Sequence, residues 1–441
     1  MAPPTGAATA GPLPGAGPGP GSALLRLATM GSVDDGKSTL IGRLLHDTKQ
    51  LHEDQLDALS RASRRHGAPR VDLAFVTDGL RAEREQGITI DVAYRYASTP
   101  KRAFVLADCP GHVQYTRNMA TGASTADVAV MVVDVTAGLR EQTRRHACLA
   151  ALLGVRHLVA AVNKMDLAGW NPAAYGAVEA EVRSLALRLG MDGVTVVPVS
   201  ALHGDNVVRR SDRAPWYDGP TVLEALEAAP AGAWARDGTG AARLPVQWVV
   251  RHRGGGRSYA GMVSGGTLRP GDAVVVLPGG RRSRITSVET YDGPLAEAPA
   301  SLSVTVRLED ELDVSRGDLI APVDDAPEVL RELVATVCWF GDAPLHAGSR
   351  YRLKHTTRLT PALVGAVESR LELGPVDLVR AEELRCNDIG VVRLTVGTPL
   401  AADPYRANRV TGSFVVIDEH THATVAAGMV GPPLLAPVPT A

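Results

Sequence analysis

Five short clusters carry side chains suited to holding a nucleoside triphosphate. Gly31-Ser32-Val33-Asp34-Asp35-Gly36-Lys37-Ser38 fits the pattern GxxxxGK[ST], and Thr39 continues it. Backbone N–H groups in such a loop cradle phosphates, and the N-terminus of the following helix favours negative charge. Lys37 is placed to reach the β- and γ-phosphates, and the Ser38 hydroxyl to ligate Mg²⁺. Asp108-Cys109-Pro110-Gly111 follows an apolar run, where Asp108 suits Mg²⁺ held through water and the Gly111 N–H suits sensing of the γ-phosphate. In Gly87-Ile88-Thr89-Ile90, Thr89 is placed to meet Mg²⁺ and the γ-phosphate only while the triphosphate is bound.

Two further clusters select the base. In Asn163-Lys164-Met165-Asp166 the Asp166 carboxylate can accept from guanine N1–H and N2–H₂, donors that adenine lacks. Lys164 can lay its methylene stem over the ring. Ser200-Ala201-Leu202 follows the next apolar run, with the Ala201 N–H aimed at guanine O6. In this order and spacing the five clusters predict a GTPase switch with GTP as substrate and Mg²⁺ as cofactor.

Strands over Leu24–Met30, Ala103–Ala107, Val128–Val133, Leu158–Val162 and Val194–Val199 must position these clusters, with helices from Thr39, over Glu141–Leu153 and over Tyr175–Leu189. Strands alternating with helices predict an α/β domain built on a mainly parallel sheet. Beyond it come short apolar runs such as Ala273–Leu277 and Leu302–Leu308, split by turns such as Arg269-Pro270-Gly271-Asp272. That cadence predicts two β-barrels. The expected layout is an Ala/Gly/Pro tail over 1–22, a GTP-binding domain over 23–230, a linker over 231–243, and barrels over 244–325 and 326–441.

Composition narrows the setting. Forty-six basic residues against 48 acidic ones leave a net charge of -2, unlike a polycation built for nucleic acid. Aromatics at 4% argue against a row of base-stacking platforms. Met1–Ser22 lacks the charge and apolar core of a signal peptide, no run spans a bilayer, and the four cysteines match neither a disulfide framework nor a zinc site. A cytoplasmic protein is expected. Only five basic residues are lysines, namely Lys37, Lys49, Lys101, Lys164 and Lys354, so the positions that keep lysine stand out.

With these motifs in place, the sequence resembles the translation-factor class of GTPases, and within it the large, GTP-hydrolysing subunit of bacterial sulfate adenylyltransferase. The resemblance runs from about Leu24 to Val430 and is most specific over Gly31–Thr39, Ala82–Val92 and Gly111–Ser124. Pro215–Pro220, Ser315–Asp318, Asn387–Gly390 and Thr411–Val430 extend it, and the paired Asp34-Asp35 separates it from elongation factors. It implies a heterodimer with a small, ATP-pyrophosphatase-like catalytic subunit that joins ATP and sulfate into adenosine 5'-phosphosulfate and pyrophosphate. GTP hydrolysis drives that uphill step. It also implies that His112, flanked by the apolar pair Val33 and Ile88, positions the attacking water; with Thr89 and Lys37 it is the expected catalytic set. Val113 stands where the family usually has an acidic residue, and Cys109 where threonine is common.

Two features mimic other functions. Ser264-Gly265-Gly266-Thr267 starts like an ATP-pyrophosphatase loop but lacks its Asp-Ser ending, so a hairpin turn is expected. The basic run Arg61–Arg70 is expected as a solvated helix face or subunit contact. No second P-loop follows Val430, so a fused adenylylsulfate kinase is not expected. The alternative is an elongation-type GTPase delivering tRNA, against which Asp34-Asp35 and Pro215–Pro220 argue.

Overall fold

The computed structural model describes residues 24–51, 54, 73, 83, 89–231, 240–252 and 255–433. The tail, the basic run Arg61–Arg70, Gly87, Ile88 and most of the expected linker lie outside the described residues.

The α/β domain is built on six strands: β1 (Leu25–Met30), β2 (Ala93–Ser98), β3 (Ala103–Asp108), β4 (Val128–Asp134), β5 (His157–Asn163) and β6 (Gly193–Pro198). Their order is β2-β3-β1-β4-β5-β6. β4, Val-Ala-Val-Met-Val-Val-Asp, is buried along its whole length, as a continuous apolar run in a sheet covered on both faces should be. All neighbours pair in parallel except β2, which runs antiparallel to β3. β2 was not expected. Its Ala-Tyr-Arg-Tyr-Ala-Ser sequence leaves Tyr94 and Tyr96 exposed on an edge strand, so it lacks the apolar run of the central strands.

Because β3 and β4 flank β1 on opposite sides, the loop after β1 leaves the sheet at a topological switch point, where open α/β sheets bind ligands. The loops after β1, β3, β5 and β6 open on that same edge and carry four of the five clusters. Five helices accompany the described sheet: α1 (Lys37–Asp47), α2 (Thr116–Ala123), α3 (Glu141–Leu152), α4 (Pro172–Arg188) and α5 (Val222–Ala228). Leu40, Ile41, Leu44 and Leu45 give α1 one apolar face, which packs against β1, β3 and β4. α5 starts in a capping box: the Thr221 hydroxyl accepts from the Glu224 N–H while the Glu224 carboxylate accepts from the Thr221 N–H.

Two all-antiparallel barrels follow. In the second, strands Arg350–His355, Ser413–Ile417, Thr424–Val430, Glu328–Trp339, Ile389–Ala402 and Arg358–Glu372 pair in that order, and the last pairs with the first to close the ring. In the first, Ser264-Gly265-Gly266-Thr267 is a turn but not a hairpin: the strand after it, Thr267–Leu268, pairs with Ala298–Pro299. A bidentate contact of the buried Arg243 with Asp403, at 3.0 Å for each nitrogen, links the barrels. The second barrel also shares an apolar cluster with the α/β domain, to which it supplies Cys338, Leu371, Ile389 and Met429.

Candidate nucleotide site

At the phosphate end the loop from Gly31 to Gly36 bends through left-handed backbone at Asp34 (φ 65°) and Gly36 (φ 95°). A Cβ at Gly36 would lie 2.3 Å from Asn163 Nδ2, and one at Gly111 would lie 2.3 Å from Lys37 Nζ. Three distant stretches therefore meet with no room for side chains at the two glycines. The Lys37 ammonium donates to the Ser32 carbonyl at 2.7 Å. Burial pulls its pKa down, opposed by Asp108 and Asp35. Asp108 is fully buried and its Oδ1 accepts from the Thr29 hydroxyl at 3.0 Å. Cys109, also fully buried, is an inert thiol whose pKa burial pushes far up.

Asp35 shapes the loop from behind. Its side chain is buried away from solvent, with Oδ2 accepting the Ser32 N–H at 2.7 Å. The Thr143 hydroxyl of α3 lies 2.9 Å from the Ser32 hydroxyl and 3.5 Å from the same Asp35 oxygen. Burial raises the pKa of Asp35, against the pull of the Ser32 N–H and Lys37. The carboxylate therefore fixes the loop's shape and engages the Ser32 N–H. Asp34 is exposed and Val33 half-buried, its carbonyl accepting from Arg140. Ser38 and Thr39 are half-buried at the start of α1.

At the base end Asn163 ties the two halves together: Nδ2 donates to the Asp35 carbonyl at 2.8 Å and Oδ1 accepts the Ala201 N–H at 2.9 Å. The Ala201 N–H, expected to meet guanine O6, here donates to Asn163. The Ser200 hydroxyl donates to Asp166 Oδ1 at 2.6 Å, holding that carboxylate in place. Lys164, in left-handed backbone at φ 64°, pairs with Asp134 at 2.8 Å. Burial alone would raise the pKa of Asp134, but Lys164 and Thr136 outweigh it and hold it low. Leu202 is exposed, and its carbonyl and that of Ala201 accept from Arg43 of α1.

His112 caps a short 3₁₀ turn over Val113–Tyr115, its Nδ1 accepting the Gln114 N–H at 3.3 Å, and is half-buried. Among the described residues Nε2 has no hydrogen-bond partner. Thr89 is buried, and the next residue, Ile90, gives its carbonyl to Asn118 of α2. No hydrogen bond among the described residues joins Thr89 to Lys37, Ser38 or Asp108. For Mg²⁺, Ser38, Thr89 and Asp108 form an all-oxygen donor set, with Asp108 already oriented by Thr29, and that chemistry fits a hard cation sharing phosphate oxygens. Thr29, Arg43, Arg140 and Thr143 were missed. Their partners are far away in the chain, Ser32 and Thr143 by 111 positions, so no local pattern announces them.

The family described as Elongation factor Tu GTP binding domain matches residues 22–231, and GTP-eEF1A C-terminal domain-like matches 332–431. Sulfate adenylyltransferase subunit 1 of Aeromonas hydrophila subsp. hydrophila is 48% identical over 419 residues, covering 95% of this chain and 88% of that protein. This chain belongs to the sulfate adenylyltransferase subunit 1 family. The bifunctional enzyme CysN/CysC of Mycobacterium tuberculosis is 53% identical over 413 residues, which are 92% of this chain and 67% of that protein. A sup35 chain complexed with GDP aligns over 93% of this chain and 94% of its own at 23% identity and a TM-score of 0.41, too loose to bear on function. The Pro215–Pro220 segment packs on the α/β domain. Trp216 and Tyr217 pack around Tyr175 of α4, so the segment is part of the α/β core.

Proposed function

We propose that this chain hydrolyses GTP to drive the formation of adenosine 5'-phosphosulfate and pyrophosphate from ATP and sulfate on a smaller partner subunit. The observation that carries the reading is the 48% identity to a sulfate adenylyltransferase subunit 1 across 88% of that protein. The site geometry supports the GTP part. The loop N–H groups and Lys37 hold the β- and γ-phosphates, Asp166 accepts from the guanine edge, and Asn163 keeps the two ends in register. Ser38, Thr89 and Asp108 would hold Mg²⁺, which would neutralise charge on the nucleotide's phosphates. His112 Nε2 orients a water whose oxygen attacks the γ-phosphorus, breaking its bond to the β–γ bridging oxygen, and inorganic phosphate leaves. Release of the γ-phosphate frees the Gly111 N–H and loosens Thr89, which converts hydrolysis into movement of α2.

The test is GTP hydrolysis by the co-purified pair, with and without ATP plus sulfate. Stimulation by both together, with adenosine 5'-phosphosulfate formed, is the expected result. Hydrolysis indifferent to both in a well-formed complex overturns the coupling and favours the elongation-type alternative, for which salt-sensitive tRNA binding is the direct assay.

A further inference from the structure

A cleft of about 530 Å³ separates α2 from the second barrel. Three cations from three elements line it: Arg117 of α2, Lys354 on strand Arg350–His355, and Arg409 in the loop before Ser413. No carboxylate lines it among the described residues. Acids outnumber bases in the chain, yet none faces these three cations across the cleft. None of the three forms an ion pair among the described residues. Arg409 lies over Gly154, where a Cβ would lie 2.5 Å from the guanidinium, and gives one nitrogen to the Gly154 carbonyl at 2.7 Å. Its other terminal nitrogen, Nη1, is buried without a partner. Lys354 is one of the chain's five lysines. The remaining walls combine hydroxyls (Ser124, Thr424) with apolar surface (Phe340, Met429).

We infer that this cleft binds an organic oxyanion of nucleotide size, its phosphate or sulfate group meeting Arg117, Lys354 and Arg409 and its flat apolar part lying against Phe340 and Met429. The volume exceeds what inorganic sulfate fills and falls within the range of small-ligand sites. Arg117 and Lys354 are exposed donors with no carboxylate beside them in the cleft, and an oxyanion supplies several acceptors. On the proposed function, the anion of this class at hand is adenosine 5'-phosphosulfate. Bound there it would bridge the second barrel to α2, the helix that follows the Gly111–Tyr115 turn.

The experiment is calorimetric titration of the full chain saturated with GDP and Mg²⁺, which keeps anions off the phosphate loop. The probes are adenosine 5'-phosphosulfate, inorganic sulfate and pyrophosphate. Expected is saturable binding of adenosine 5'-phosphosulfate, weakened about tenfold by either Arg117→Gln or Lys354→Gln, the loss of one charge-assisted bond. Both residues are exposed, so folding survives the change. Lys101→Gln, remote and paired with Glu227, leaves it unchanged. No saturable binding tighter than about 1 mM, or equal loss with Lys101→Gln, overturns the site. Inorganic sulfate or pyrophosphate binding as tightly overturns the nucleotide class. No partner subunit is involved, so failure here is distinct from failure of the proposed coupling.

Discussion

At the scale of single residues, the base end rests on one carboxylate. Asp166 is oriented by Ser200 and presents acceptors only. Asp166→Asn replaces one acceptor oxygen with a donor that faces guanine's own donors. GTP affinity is expected to fall about 10- to 100-fold, the worth of charge-assisted hydrogen bonds, with the preference for guanine over adenine relaxed. Fluorescent-nucleotide competition measures both, and unaltered GTP affinity would remove Asp166 from the site. His112 is a different kind of residue, because its Nδ1 is occupied by Gln114 and only Nε2 is left to hold water. His112→Ala is expected to keep GTP binding while slowing hydrolysis about 100-fold or more under single-turnover conditions. Wild-type turnover would transfer the role elsewhere. In the sequence Asp166 stands out by its short motif, while His112 is picked out only by the resemblance. Asp35 was legible only as a residue type: its carboxylate turns inward onto the Ser32 N–H, with Thr143 of α3, 108 positions away, beside it.

At the scale of elements, α3 is the part whose role no local pattern revealed. It reads as an ordinary amphipathic helix, yet it places Thr143 and His146, both fully buried, beneath the phosphate loop. His146 Nε2 accepts from the Gln142 amide at 2.7 Å, and that amide also reaches the Thr116 hydroxyl at the start of α2. Burial and the nearby Lys37 ammonium hold the imidazole neutral, with its pKa down at about 3. In the unfolded chain the ring takes a proton near pH ~6.5, so between that pH and 3 the unfolded state binds more protons and stability falls as pH falls. At pH 5 the loss amounts to about 2 kcal/mol. His146→Leu is expected to lower the melting temperature at pH 7, because Gln142 loses its partner, yet to show a smaller further drop between pH 7 and pH 5. Parallel pH profiles for variant and wild type would show that the ring titrates normally in the folded chain.

At the scale of the whole molecule, the turn chemistry announced two barrels, but nothing announced how they dock. Cys338, Leu371 and Met429 look like any barrel core residues in sequence, although they face the α/β domain. Arg243 looked like a linker residue, yet it is 4% exposed and forks onto Asp403, which also accepts from the Thr411 hydroxyl at 2.6 Å. Such a contact ties the first barrel to the second across 160 positions of chain. A buried pair of this kind costs desolvation on both sides, so its net stabilisation is small while either partner alone is strongly unfavourable. Arg243→Met is therefore expected to destabilise the chain by about 3–5 kcal/mol by stranding Asp403, and Arg243→Met with Asp403→Leu to recover much of that loss. Thermal unfolding of the two single variants, the double variant and wild type gives the coupling directly. If the double variant is as unstable as the sum of the singles, the two side chains act independently, and the orientation of the barrels rests on their other contacts, among them the Arg358–Asp318 pair, the Ser264–Asn408 hydrogen bond and the apolar contact of Val275, Leu277 and Leu319 with Ala401.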